Sequence, residues 1–144
     1  MTKPDDAERS FRSGFTCSAG VFSTFSHELG LDSDTAKKVA CGFGGGISHT
    51  GNICGAVSGA IMAVGLKYGK TQEIDNAATE KTRELTRKFI AEFSKKNSSI
   101  NCTKLLGYNL SNPDDLSRAR ELGLFKTKCT ALVRDATEIL DKIL

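Results

Sequence analysis

Apolar positions along the chain recur three or four residues apart and are broken at intervals by glycine, a spacing that gives a helix one apolar side and then stops it. Val21, Phe22, Phe25 and Leu29 share a face, which predicts a helix from about Cys17 to Leu29. Gly30 followed by Leu31 suits a left-handed C-terminal cap with its hydrophobic contact. A shorter helix opens after Ser33 or Asp34, buries Ala36, Val39 and Ala40, and ends at Gly42 ahead of Phe43. A third is expected from Asn52, whose side chain can cap it, through Cys54, Val57, Ile61, Val64 and Leu66 to Gly69. Thr71 caps a long fourth helix to Asn97, with Ile74, Ala78, Leu85, Phe89, Ile90 and Phe93 inward. After a turn at Ser98 or Ser99, a short segment holds Cys102, Leu105 and Leu106 and ends at Gly107. Ser111 or Asn112 before Pro113 opens another segment, closed by Gly123. Leu132, Val133, Ala136, Ile139, Leu140 and Ile143 mark a last helix from about Lys128 to Leu144. The pattern predicts an all-α fold, a compact bundle of about five to six helices with a Gly-rich loop.

Two stretches stand out within it. Residues 42–51 read GFGGGISHTG, too rich in glycine for a helix and able to bring backbone N–H groups up to another atom. On the third helix Gly55, Gly59 and Ala63 recur every four residues, as do Ala56 and Ala60, making a surface for close backbone packing. Tight packing inside the fold is the first reading of that surface. A second is a non-catalytic helical interaction module whose face meets another copy, as a homodimer, or a transporter.

Length bounds the organisation. The 144 residues make one domain, 14–144, preceded by a polar arm, 1–13, that carries Lys3, Asp5, Asp6, Glu8, Arg9 and Arg12. An arm with no apolar core is no secretory signal, so a cytoplasmic location is expected. The longest apolar run, Ile53 to Leu66, falls short of the roughly 20 residues a bilayer span needs, so no transmembrane segment is expected. Lys and Arg total 20 against 17 Asp and Glu, a net charge of +3 with the signs interleaved, which gives no nucleic-acid surface. Phosphate motifs fail as well. GFGGG has Ile47 where a dinucleotide fingerprint needs glycine, and Gly69-Lys70-Thr71 ends like a P-loop but has Val64 at the required glycine. No Ser-His-Asp set, carboxylate pair or Cys-His dyad points to hydrolysis.

The candidate chemistry lies in the five cysteines, Cys17, Cys41, Cys54, Cys102 and Cys129. Their odd number closes no disulfide framework, and no C-x-x-C occurs. Cys17, Cys54, Cys102 and Cys129 each fall in the first turn of an expected helix. Unpaired N–H groups there favour a thiolate, which predicts pKa values below the free thiol's, about 8.5. Cys41, in the last turn of its helix, is read as a buried small hydrophobe.

Cys54-Gly55-Ala56-Val57-Ser58-Gly59, with Cys17 and GFGGG before it and GLKYG, Cys102 and Cys129 after it, resembles the C_GCAxxG_C_C family of redox-active proteins over nearly the whole chain. The resemblance implies a small bacterial or archaeal protein working through four shared cysteines and their disulfides, with no set substrate. Cys41 is additional to the four. Haem does not carry over, because no C-x-x-C-H occurs.

Thiol–disulfide chemistry needs an attacking thiolate and a second thiol to resolve the mixed disulfide. Cys54, behind the flexible loop, is the expected attacker. Cys17, Cys102 or Cys129 resolves, with a redox partner or thiol substrate supplied from outside. The rival is a zinc or iron–sulfur site built from Cys17, Cys54, Cys102 and Cys129 with His49, although the ligands lack the close pairs usual in such sites. His27 is expected to be a polar residue on a helix face.

Overall fold

Helix α2 (Cys17–Ser26) forms the middle of the molecule, with Ser18 through Ser23, Phe25 and Ser26 all buried. The computed structural model describes all 144 residues. Against α2 lie α1 (Lys3–Arg12), α3 (Ser33–Ala40), α4 (Gly55–Tyr68) and α8 (Lys128–Ile143); α5 (Asn76–Asn97) packs on α4 and α8, and α6 (Cys102–Leu106) and α7 (Pro113–Glu121) are short. There is no strand, only one isolated antiparallel bridge between Ile53 and Asn101. The fold is all-α, with eight helices where the pattern predicted five to six. No helix is long and apolar enough to cross a membrane.

The small-residue surface of α4 is spent inside the fold. A Cβ at Gly59 would stand 2.5 Å from the Ser18 carbonyl oxygen, so α2 and α4 meet backbone to backbone. Gly20 allows a similar approach on the opposite side, where a Cβ would lie 3.2 Å from Ala7 O of α1. Beneath these contacts Val57, Val64, Phe89, Phe93, Val133 and Leu140 are buried, and Phe89 and Phe93 stack with ring centroids 5.9 Å apart. Burying each such side chain contributes about 1.5–3 kcal/mol.

Several ends are set as the sequence predicts. Gly30 is left-handed at φ +90°, with its N–H donating to His27 O at 3.1 Å and the Leu31 N–H donating to Ser26 O at 2.9 Å. Those two bonds make the paired glycine cap that ends the α2 segment. Gly123, at φ +69°, stops its helix the same way, and Gly107, at φ +77°, does so with a single bond from its N–H to Thr103 O at 2.8 Å. Asn112 caps α7 by accepting from the N–H groups of Asp114 and Asp115.

Other expectations are corrected. Asp75, and not Thr71, caps α5 by accepting from the Ala78 N–H, and Ile74 before it is 90% exposed. Val39 is also exposed, because α3 presents Ala36 and Ala40 to the core. The third expected helix starts at Gly55, with Cys54 in the capping position, while Asn52 O accepts from the Cys102 N–H. The polar arm contains helix α1: Thr2 and Asp5 form a capping box, and Pro4 and Ala7 are buried. Arg134 of α8 donates to Asp5 at 3.0 Å and to Glu8 at 3.1 Å, tying α1 across the bundle.

The close approach of α2 and α4 predicts that Gly59→Ala destabilises the protein by about 1–3 kcal/mol, whereas Gly65→Ala, where nothing lies near an added Cβ, does not. Urea unfolding of the two variants measures the difference.

Candidate functional site

All five cysteines line one cavity of about 460 Å³. Cys17 begins α2, Cys54 caps α4, Cys102 begins α6 and Cys129 is the second residue of α8, so four helix N-termini point their thiols toward one place. The sequence put all four in the first turn of a helix; Cys17, Cys102 and Cys129 are there, and Cys54 stands one position earlier, at the cap of α4. Cys41 differs from its expected burial: it is exposed and sits on the rim, because the chain turns away from α3 there into the Cys41–Phe43 3-10 turn.

The remaining wall is built by the glycine stretch. Gly45, Gly46, Ile47, Ser48 and His49 all have φ between +51° and +70°, a full turn of left-handed backbone. An L-residue costs about 1–2 kcal/mol in that conformation, so Ile47, Ser48 and His49 hold strain of a kind that clusters at functional sites. Hydrogen bonds fix the turn. Ser48 Oγ donates to Gly42 O at 2.8 Å, Thr50 Oγ1 donates to Gly46 O at 2.8 Å, and the Asn52 N–H donates to Gly46 O at 2.8 Å. Glycine is required by contact as well as by angle. A Cβ at Gly46 would lie 2.7 Å from Cys102 Cβ, one at Gly45 would strike the His49 ring, and one at Gly55 would strike the Cys17 sulfur.

Cys54 and Cys102 are held relative to each other by a two-bond bridge. The Cys54 N–H donates to Ile100 O at 2.8 Å, and the Cys102 N–H donates to Asn52 O at 2.6 Å. Cys17 is the hub of the group. Backbone N–H groups of Gly45, Ser18, Cys17 and Ala56 lie close to its sulfur, and its charge bears on Cys54, Cys102 and Cys129 alike.

The helix N-termini do not lower the thiol pKa values as expected. Burial is the largest influence on every one of the four and pushes them up: Cys54 to about 12, Cys102 to about 11, and Cys17 and Cys129 in the same direction. Repulsion from the Cys17 thiolate adds to the rise at Cys54, Cys102 and Cys129, and the N–H groups around Cys17 only partly offset its desolvation. Neutral thiols are therefore the resting state of this cavity near neutral pH.

His49 is exposed and also on the cavity wall, with its ring 6.3 Å from that of Phe125. It is the only ionisable residue lining the cavity besides the cysteines; no Asp, Glu, Lys or Arg joins it. His27 is exposed at the end of α2, as expected. No group of three or more His, Cys, Asp or Glu side chains is spaced to hold a metal ion, so the donor set of Cys17, Cys54, Cys102, Cys129 and His49 is not arranged as a ligand shell.

Fold and cavity together define a small all-helical protein with a buried thiol cluster at converging helix N-termini. Residues 15–143 match the family described as "Putative redox-active protein (C_GCAxxG_C_C)", and the chain belongs to that family. It is also 31% identical over 135 residues to a protein of Archaeoglobus fulgidus described as "Uncharacterized protein", an alignment covering 85% of this chain and 80% of the relative. No solved structure matches the chain.

The pKa directions predict the chemistry of the free thiols. Iodoacetamide should modify Cys41 quickly and the other four slowly, with Cys54 and Cys102 gaining about tenfold in rate per pH unit until the pH nears their values. Peptide mapping after timed alkylation checks this. Stability follows from the same shifts. A thiol whose pKa is raised on folding contributes fully below the unfolded value, about 8.5, and that contribution is lost as pH rises toward the folded value, about 12 for Cys54. Urea midpoints should fall over that alkaline window, and less steeply in Cys54→Ala.

Proposed function

We propose that the cavity performs thiol–disulfide exchange, with Cys17 and Cys54 as the first pair to be oxidised. The observation that carries this is the convergence of all five cysteines on one cavity wall. Within the group, the Cys17 sulfur has backbone N–H groups of Gly45, Ser18 and Ala56 around it that favour its thiolate, and its charge raises the pKa of the other three. Gly55 lies between them, with no side chain to keep the Cys17 sulfur away. Cys17, then, attacks, and Cys54, which the sequence suggested as attacker, resolves.

The exchange balances as follows. The Cys17 thiol loses its proton, and its sulfur attacks an external disulfide RSSR, giving a mixed disulfide and one thiolate RS⁻. The Cys54 thiol loses its proton in turn and attacks the Cys17 sulfur, forming the Cys17–Cys54 bond and releasing the second RS⁻. Both leaving thiolates take up the two protons, so two protein thiols and RSSR become one protein disulfide and two RSH. His49, the one conventional base on the wall, accepts each proton on its way. Cys102 and Cys129 provide a second pair, giving the reduced protein a capacity of two disulfides. The neutral resting thiols keep the thiolate fraction small, so exchange accelerates with rising pH.

Protein purified without oxygen or chelator and titrated with a mild disulfide oxidant tests the reading. Thiols should fall reversibly in steps of two with Cys41 left over, zinc and iron should be at background by elemental analysis, and Cys17→Ser should abolish the first step. His49→Gln should slow that step by about 10²-fold without changing its end point. About one zinc or iron per chain with protected thiols would overturn the proposal in favour of a metal centre.

A further inference from the structure

Beside the cysteine cavity lies a second groove of about 520 Å³, lined by Phe11, Arg12, Gly14, Phe15, Phe125, Lys126 and Thr130. The two share a wall, because Phe11, Gly14, Phe15 and Phe125 line both. Thr130 Oγ1 is the one buried side-chain polar atom in the molecule without a hydrogen-bond partner, on a residue only 5% exposed. Its own helix does not satisfy it. Thr137, two turns further along α8, donates its hydroxyl to Val133 O at 2.8 Å, whereas Thr130, on the wall of the groove, has no such acceptor. An orphaned hydroxyl in such a place costs free energy unless something bound in the groove completes it.

Charge says what that something is. Arg12 and Lys126 are the only charged residues lining the groove, and no carboxylate joins them. Arg12 shares its charge with Glu8 at 3.4 Å, while Lys126 makes no ion pair. A third cation, Lys37, stands 4.0 Å over the face of Phe15 on the shared wall. Phe15 itself is 43% exposed, an apolar surface between the basic groove and the thiols.

We infer that the groove binds a small anionic disulfide, its carboxylate or phosphate held by Arg12 and Lys126, with the buried Thr130 hydroxyl rotating outward to donate to it, and its sulfurs reaching the cysteine cavity across Phe15 and Phe125. This rests on the redox reading of the cavity and gives it a substrate class. The reaction is the one already balanced: two protein thiols and RSSR give a protein disulfide and two anionic RSH.

The experiment follows thiol loss from the full-length reduced protein with three probes: glutathione disulfide (carboxylates), coenzyme A disulfide (phosphates) and cystamine (cationic). Each rate is divided by that of dithiothreitol with the same probe, to remove intrinsic reactivity. At least one anionic disulfide should exceed cystamine by about tenfold or more, and the two anionic probes tell carboxylate from phosphate recognition. The preference should shrink with added salt and vanish in Arg12→Glu/Lys126→Glu. Equal normalised rates for all three probes overturn the groove and leave the redox reading standing. Calorimetry with S-methylglutathione and dephosphorylated or intact S-methyl coenzyme A separates the opposite case. Charge-dependent binding of such a thioether, without thiol loss from any disulfide, keeps the groove and removes the redox chemistry. Thr130→Val provides the last arm. It should unfold at higher temperature than the unaltered protein, since the orphaned hydroxyl is gone, yet bind the thioether more weakly. Unchanged affinity in that variant overturns the assignment of Thr130.

Discussion

Helices α2 and α4 meet backbone to backbone near their N-termini, and the cysteine cavity depends on that approach. Gly59 brings α4 against the Ser18 carbonyl, and Gly55 leaves room for the Cys17 sulfur at the N-terminus of the same helix. A side chain at either position would push the helix starts apart. Cys17 and Cys54 would then separate, and the N–H group of Ala56 would move away from both sulfurs it now faces. The repeated small residues of α4 thus do two things at once: they pack the centre of the fold and they set the spacing of the thiols.

The left-handed turn works to the same end. Five successive residues with positive φ turn the chain back on itself, so Gly45 offers its N–H to Cys17 while Gly46 presses against Cys102. Keeping Ile47, Ser48 and His49 in that conformation costs free energy, and the bonds made by Ser48, Thr50 and Asn52 hold it in place. The product is a wall of backbone in place of side chains, on which His49 is the only base.

Much of this was legible in the residues. Helical spacing and glycine stops gave the all-α class, and Cys17, Cys102 and Cys129 are in the first turns where the pattern put them, with Cys54 one position ahead of its helix, because helix starts are decided locally by caps and by the onset of apolar periodicity. Helix α1 was missed because its polar residues hide a Pro4, Ala7, Phe11 stripe, and that stripe was the readable signal. Burial of Ile74 and Val39 was misjudged for a different reason: period alone does not say which side of a helix end meets the core. The largest disagreement concerns thiol acidity. A helix N-terminus is visible in sequence, whereas desolvation by distant segments is not. Gathering four sulfurs in one cavity buries each among the others, and that outweighs the dipole. The Arg12, Lys126 and Thr130 groove was hidden likewise, since it joins the end of α1 to the start of α8 across more than a hundred residues of sequence.

The central claim is that Cys17 is the sulfur through which the cluster works. Mapping by mass spectrometry of the disulfides formed after oxidation by a single equivalent, with Cys41 blocked beforehand, tests it most directly. The account predicts a Cys17–Cys54 cross-link as the first product, and its loss in Cys17→Ser. A first product joining Cys102 to Cys129, with Cys17 still free, would contradict it.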